Sequence, residues 1–153
     1  MNRILTVFVA AGLVSGLGWV AWPAAQEGML PYLNDAITAQ GRELYAENCA
    51  SCHGAKMQGQ PDWRRQDDDG YLPAPPHDRS GHTWHHTDEL LIKITRLGSE
   101  AIIGGNYRSR MGGFGDILSD DEIIAILAYI KSTWPDQVIE QHNQVNKNAA
   151  FAD

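Results

Sequence analysis

The chain has 153 residues, 43% hydrophobic and 20% charged, with a formal charge of −7. That length accommodates one domain and not comfortably two. The acidic balance argues against a nucleic-acid partner, which would need clustered Lys and Arg, and favours a basic protein partner or plain solubility.

Arg3 precedes an uncharged run from Ile4 to Trp22. A positive residue ahead of such a run reads as an export signal. Two forms of it stay open. Pro23-Ala24-Ala25 offers small residues for cleavage after Ala25. Alternatively the run, close to the ~20 residues that cross a bilayer, remains as a membrane anchor with Trp19 and Trp22 at the interface. Both place the rest of the chain in the periplasm or on the extracytoplasmic face of the membrane. Residues 1–25 are therefore set apart as signal or anchor, and residues 26–36 read as a linker.

Thr38 to Asn48 reads as a helix, with Gly41, Leu44, Tyr45 and Asn48 on one face at i, i+3, i+4, i+7 spacing. Residues 54–86 are broken by Gly54, Gly59, Pro61, Gly70, Pro73, Pro75, Pro76 and Gly81, and read as a long functional loop. Thr87 is placed to cap a helix from about Asp88 to Leu97, with Asp88 and Glu89 complementing its dipole and Gly98 as its stop. Residues 99–118 read as irregular. Ser119-Asp120-Asp121-Glu122 has capping-box form, and Ile123, Ile126, Leu127, Ile130 and Trp134 make the apolar stripe of the helix that follows, closed by Pro135. Residues 136–153 read as a polar, loosely held tail. No strand pattern appears, so the fold class is all-α.

The chain has two cysteines, both in Cys49-Ala50-Ser51-Cys52, followed at once by His53. Two thiols at this spacing can each add to a vinyl group of one haem, which leaves the adjacent histidine to bind the iron. The motif predicts one covalently attached haem c. A thioredoxin-like pair would want a βαβ surrounding, a zinc site more ligands, and a disulfide here would close too short a loop to contribute much.

The iron's sixth position calls for another ligand, typically a methionine sulfur in an electron carrier. Met111 is the best placed of four methionines, in the glycine-rich Met111-Gly112-Gly113-Phe114-Gly115 just before the last helix. Met1 belongs to the leader and Met29 to the linker. Met57 lies too near His53 to reach the opposite face of the haem.

The arrangement resembles a single-haem class I cytochrome c domain over about residues 36–135. In that family an N-terminal helix leads into Cys-x-x-Cys-His, a middle helix covers the haem, a loop presents the methionine and a C-terminal helix crosses the first. The matching parts are Thr38–Asn48, Cys49–His53, Thr87–Leu97, Met111 and Ser119–Trp134. The resemblance assigns the domain to residues 37–135. It makes Cys49, Cys52, His53 and Met111 the haem-binding residues, with His53 and Met111 on the iron. It also pairs Gly41 with Tyr129, with Tyr45 nearby, at the helix crossing. The long acidic and histidine-rich loop and the polar tail depart from the family pattern.

His77, His82, His85 and His86 crowd into ten residues. Their possible roles are packing at the start of the following helix, a copper or zinc site, or a histidine replacing Met111 on the iron. Trp84 can line the haem edge or donate to a propionate, and Arg64, Arg65, Arg108 and Arg110 can pair with propionates. Asp67-Asp68-Asp69 reads as a solvated turn.

The functional expectation is an electron carrier, not an enzyme. Its partners would be redox proteins, such as a membrane respiratory complex or a dehydrogenase. The alternative is a haem enzyme, peroxidase-like or handling metal ions, with a labile sixth site and a histidine as acid–base group.

Overall fold

The computed structural model describes residues 28–151, so the leader read over residues 1–25 lies outside the described residues. The described chain is helical: α1 (Asp35–Asn48), α2 (Ala50–His53), a 3-10 turn at Thr83–His85, α3 (Asp88–Leu97), α4 (Ser99–Ile103), α5 (Asp120–Ser132) and α6 (Asp136–Ala150). Strand-like pairing among the described residues is limited to two isolated bridges, Leu72 with Ser109 and Gly98 with Gly112. No helix among the described residues is long and apolar enough to cross a membrane.

The core forms where α1 crosses α5. The α5 stripe of Ile123, Ile126, Leu127 and Ile130 is buried, with Trp134 beyond it, and Tyr45 of α1 joins the same cluster. The crossing is close because Gly41 has no side chain. A Cβ there would overlap the Ala125 carbonyl and lie 3.0 Å from the Tyr129 Cβ. Tyr45 then fills the angle between the helices, its ring edge-on to Tyr129 at 5.8 Å and its hydroxyl donating to the Gly54 carbonyl at 2.9 Å. That bond ties the end of the cysteine turn to the crossing.

Both later caps form as their residues require. The Thr87 hydroxyl accepts from the Leu90 N–H, and Ser119 and Glu122 complete a reciprocal capping box. The first helix begins earlier than its apolar spacing indicated. Asn34 caps it by accepting from the Ala36 and Ile37 N–H groups, whereas Thr38 lies one turn inside. Within the stretch read as irregular, Ser99–Ile103 forms the short helix α4.

The ends of the described chain differ most from the sequence reading. Leu30, in the segment read as a linker, is fully buried in the core. Residues 136–150, read as a loose polar tail, form α6 with His142 and Asn143 buried. Its buried side chains are polar, with only Val138 and Ile139 packed on the core beside them, so apolar periodicity gave little sign of it. The partners lie elsewhere in sequence. The Asp88 carboxylate accepts from the Met29 N–H at 2.6 Å and the Leu30 N–H at 3.3 Å. Asn146 accepts from the Asp88 N–H and donates to its carboxylate. His142 Nε2 lies 3.4 Å from the same carboxylate. The Lys131 ammonium donates to the Asn143 side-chain oxygen at 2.7 Å and sits over the Tyr32 ring.

Two outcomes follow from this packing. Gly41→Ala destabilises the haem-loaded protein by about 1–3 kcal/mol in denaturant melts, because overpacking at the crossing outweighs the ~1 kcal/mol that alanine gains in helix propensity. The second concerns pH. Burial first, and then the Lys131 charge, lower the His142 pKa to about 4 against the pull of Asp88. The unfolded chain therefore takes up a proton near pH ~6.5 that the folded chain refuses. Stability is unaffected above that pH and falls by up to about 3 kcal/mol as pH drops towards the folded pKa. His142→Gln should flatten that part of the stability–pH curve, measured by thermal unfolding.

Candidate haem site

The cysteine turn follows α1 directly. Cys49 ends α1, and Ala50–His53 forms one further turn. This puts Cys49, Cys52 and His53 on the wall of one cavity of about 580 Å³. The volume lies within the ~300–1,000 Å³ typical of sites that enclose organic cofactors. Leu90, Leu91 and Ile94 of α3, Ile126 and Ile130 of α5, and the segment 109–112 complete its lining. Burial, with Cys52 adding to it, pushes the Cys49 thiol up to about 11.

His53 is buried, and its orientation is set by the loop that follows. The Gly59 N–H donates to the His53 carbonyl at 2.8 Å, and Gln60 pairs with Ala74 through both a backbone and a side-chain hydrogen bond. The loop thereby doubles back and brings the Pro75 carbonyl to 2.8 Å from His53 Nδ1. A carbonyl only accepts, so Nδ1 carries the proton and Nε2 keeps a free lone pair, the form that binds a metal. Burial lowers the His53 pKa and so favours the neutral ring, an effect partly offset by the bond to Pro75. His77 stacks on it, ring centroids 3.9 Å apart. Trp134 Nε1 donates to the His77 carbonyl at 2.7 Å and links this stack to the core.

Met111 lies on the same cavity wall, with the buried Ser99 hydroxyl 3.7 Å from its sulfur. Its loop is held against the end of α3. Phe114 and Gly115 N–H groups donate to the Thr95 and Arg96 carbonyls at 3.0 Å. A Cβ at Gly113 would lie 2.6 Å from the Arg96 carbonyl oxygen, so only glycine allows this approach. Met57 is instead a core residue whose sulfur accepts from the Thr133 hydroxyl, and Met29 is exposed.

The arginine and aspartate residues of the two long loops find each other. Arg110 pairs with Asp67 and Asp69. Arg108 donates to the Asp69 carbonyl and the Tyr71 hydroxyl, and both guanidinium groups lie over the Tyr71 ring. Arg110, first among the causes, lowers the Asp67 pKa. The acidic run is thus a clasp between residues 67–71 and the Met111 loop, and its arginines are engaged by protein groups.

The histidine loop divides. His77, His82, Thr83 and His86 line the cavity. His82 stacks on Trp63 at 5.3 Å and meets His86 edge-on at 5.2 Å, while Trp84 lays its ring on His85. Trp84 Nε1 is buried without a hydrogen-bond partner. Among the described residues, no three His, Cys, Asp or Glu side chains converge to hold a metal ion. Sequence reasoning missed Ser99 and Pro75, which act through a hydroxyl and a backbone carbonyl and carry no motif.

A helical domain with a Cys-x-x-Cys-His turn on an apolar cavity is the frame of a c-type haem protein. The sequence model of the cytochrome c family matches residues 38–134. The chain belongs to the cytochrome c family, and it binds haem c covalently. It is similar to the Cbb3-type cytochrome c oxidase subunit FixP of Azorhizobium caulinodans, 30% identical over 102 residues, covering 67% of this chain and 31% of that protein. It is also similar to a nitrite reductase of Stutzerimonas stutzeri, 29% identical over 131 residues, 82% of this chain and 21% of that protein. A cytochrome bc1 complex cytochrome c subunit of Mycobacterium bovis is 34% identical over 56 residues, 37% of this chain and 20% of that protein. The chain thus spans about a fifth to a third of the length of these relatives. No solved structure gives a significant match.

Proposed function

We propose that this chain is a one-electron carrier of the extracytoplasmic space. In this reading Cys49 and Cys52 hold the haem, His53 and Met111 bind its iron, and residues 1–25 act as export signal or anchor. The haem supplies a reversible ferric–ferrous couple. The observation that carries the reading is that His53, with Nε2 left free by the Pro75 bond, and Met111, backed by Ser99 and α3, share the wall of one largely apolar cavity. Both ligating atoms are held before binding, which suits repeated electron transfer better than a position that must open to substrate. A thioether ligand and an apolar shell both raise the potential. His77 is already stacked on His53, and its Nδ1 meets the Thr83 hydroxyl at 2.8 Å, so it is engaged on the same side as the first ligand.

The partners proposed are redox proteins, including membrane respiratory complexes or dehydrogenases. Relatives named as an oxidase subunit and a bc1 subunit support that class. The acidic charge of −7 favours a basic docking face on the partner.

Two measurements test the reading. The exported chain should carry one haem mass that resists acid–acetone extraction, and Cys49→Ala or Cys52→Ala should weaken attachment; a chain without haem mass would refute the site. Met111→Ala should abolish the methionine–iron charge-transfer band, lower the potential and admit cyanide rapidly. Single replacement of His77, His82, His85 or His86 should leave the band in place. A spectrum unchanged by Met111→Ala but turned high-spin by one of those histidine replacements would establish a bis-histidine haem instead.

A further inference from the structure

A haem brings two propionate carboxylates, and a carboxylate taken into an enclosed cavity needs a cation or a set of donors. The wall of this cavity limits what can serve. Arg110 is paired with Asp67 and Asp69, and Arg108 is turned to Asp69 and Tyr71. His53 is committed to Pro75, and His77 to Thr83. The ionisable side chains left on the wall include His82 and His86, four residues apart across the Thr83–His85 turn. Their contacts are ring-to-ring: His82 against Trp63, and His82 edge-on to His86. Among the described residues neither ring nitrogen pair is engaged by a protein hydrogen bond, so both imidazoles keep their donor and acceptor capacity.

We propose that His82 and His86 are the partners of the haem carboxylates, and that this pair takes up a proton when the haem is reduced. The inference rests on the haem-carrier reading and adds what travels with the electron. The electron comes from a reduced redox protein and stays on the haem. The proton comes from water and stays on an imidazole nitrogen, where one N–H bond forms. Reduction removes one positive charge from the iron, which strengthens proton binding nearby, and the propionate charges favour the imidazolium.

The surroundings set the direction of the unloaded baseline. Arg64, which lies over the Trp63 ring, faces His82, as do His77 and His85 from its own loop. His86 faces His82 and His85, with His142 of α6 behind its backbone. Burial first, and then these neighbours, hold both imidazoles below their ordinary pKa. Carboxylates in the cavity act in the opposite sense and return the pair towards the range of about pH 5–8 in which histidine switches. The pair then binds its proton more tightly in the reduced protein than in the oxidised one. The midpoint potential is high and flat below both pKa values, falls with rising pH between them, and is flat and lower above them.

The test is potentiometric titration of the haem-loaded full chain from pH 5 to 8.5 at fixed ionic strength. The parent potential should fall as pH rises. His82→Gln and His86→Gln should each reduce the fall, and the double replacement should abolish it, while His85→Gln, at the ring stacked on Trp84, should keep the fall and shift only the pH at which it occurs. Histidine C2–H resonances followed by NMR in both oxidation states give a second readout in the unaltered protein: His82 or His86 should titrate at higher pH when reduced. A flat parent potential, a fall that survives the double replacement, or equal titration in both states would overturn the pair. Those failures would occur in protein with attached haem and an intact methionine band, whereas failure of the carrier reading shows as missing haem mass or a missing band.

Discussion

The approach of α1 to α5 at Gly41 is the contact on which the haem site depends. A backbone-to-backbone crossing leaves no slack, since a single methyl group there would overlap the Ala125 carbonyl. With α1 held, its last residue is held as well, and Cys49, Cys52 and His53 follow within one turn. The Tyr45 hydroxyl on Gly54 fastens the far end of that turn to the same crossing. The crossing therefore positions the haem-attachment turn relative to α5, whose Ile126 and Ile130 form part of the cavity wall.

The opposite half of the site is built by another device. α1 places the His53-bearing turn, and backbone groups of the loops give His53 and Met111 their final aim. His53 is aimed by a loop that folds back to offer the Pro75 carbonyl, and Met111 by backbone bonds to the end of α3. The Pro75 carbonyl is steadied by its neighbour Ala74, whose N–H and carbonyl are both paired with Gln60. The loop that supplies Pro75 also supplies Tyr71 and Asp67, which clasp Arg108 and Arg110 beside Met111. One long insertion thus braces both candidate iron ligands. Exposed ion pairs of this kind contribute little stability singly, about 0–1 kcal/mol, so the clasp acts by restricting the loop geometry more than by adding energy.

Much of this was legible in the sequence for reasons that can be stated. Cys49-x-x-Cys52-His53 encodes its chemistry in residue types and spacing alone. Thr87 and Ser119 announce their helices because a cap is a local event, decided within four residues. The stripe on α5 shows because its burial is apolar and periodic. Asn34 is not marked by the apolar spacing, because the stripe of Gly41, Leu44, Tyr45 and Asn48 begins well past the cap. The family match supports the all-α fold and the haem. What stayed hidden was long-range and polar. Pro75 contributes a carbonyl, which every residue possesses, and Asp88 reaches residues 29, 30, 142 and 146 across spacings no pattern reveals. The density of the histidines leaves a metal site open beside a packing role, and the rings pack onto Trp63, Trp84 and His53.

The polar seam at α6 has a consistent electrostatic logic. A buried carboxylate is costly unless it is compensated, and Asp88 is compensated several times over. It stands in the first turn of α3, where the helix dipole favours a negative charge, and it accepts two backbone N–H bonds from residues 29 and 30. Asn146 adds a third donor. Lys131, equally buried, supplies the opposite charge to the same region and is met by Asn143 and the Tyr32 ring. With one negative and one positive group already present, a protonated His142 would leave an uncompensated charge in the interior. Its ring is also packed edge-on against Trp134, a neighbour that offers no acceptor. The neutral imidazole is therefore the form the fold selects, and the N-terminal segment and α6 are both fastened to α3 through a carboxylate that needs no proton from it.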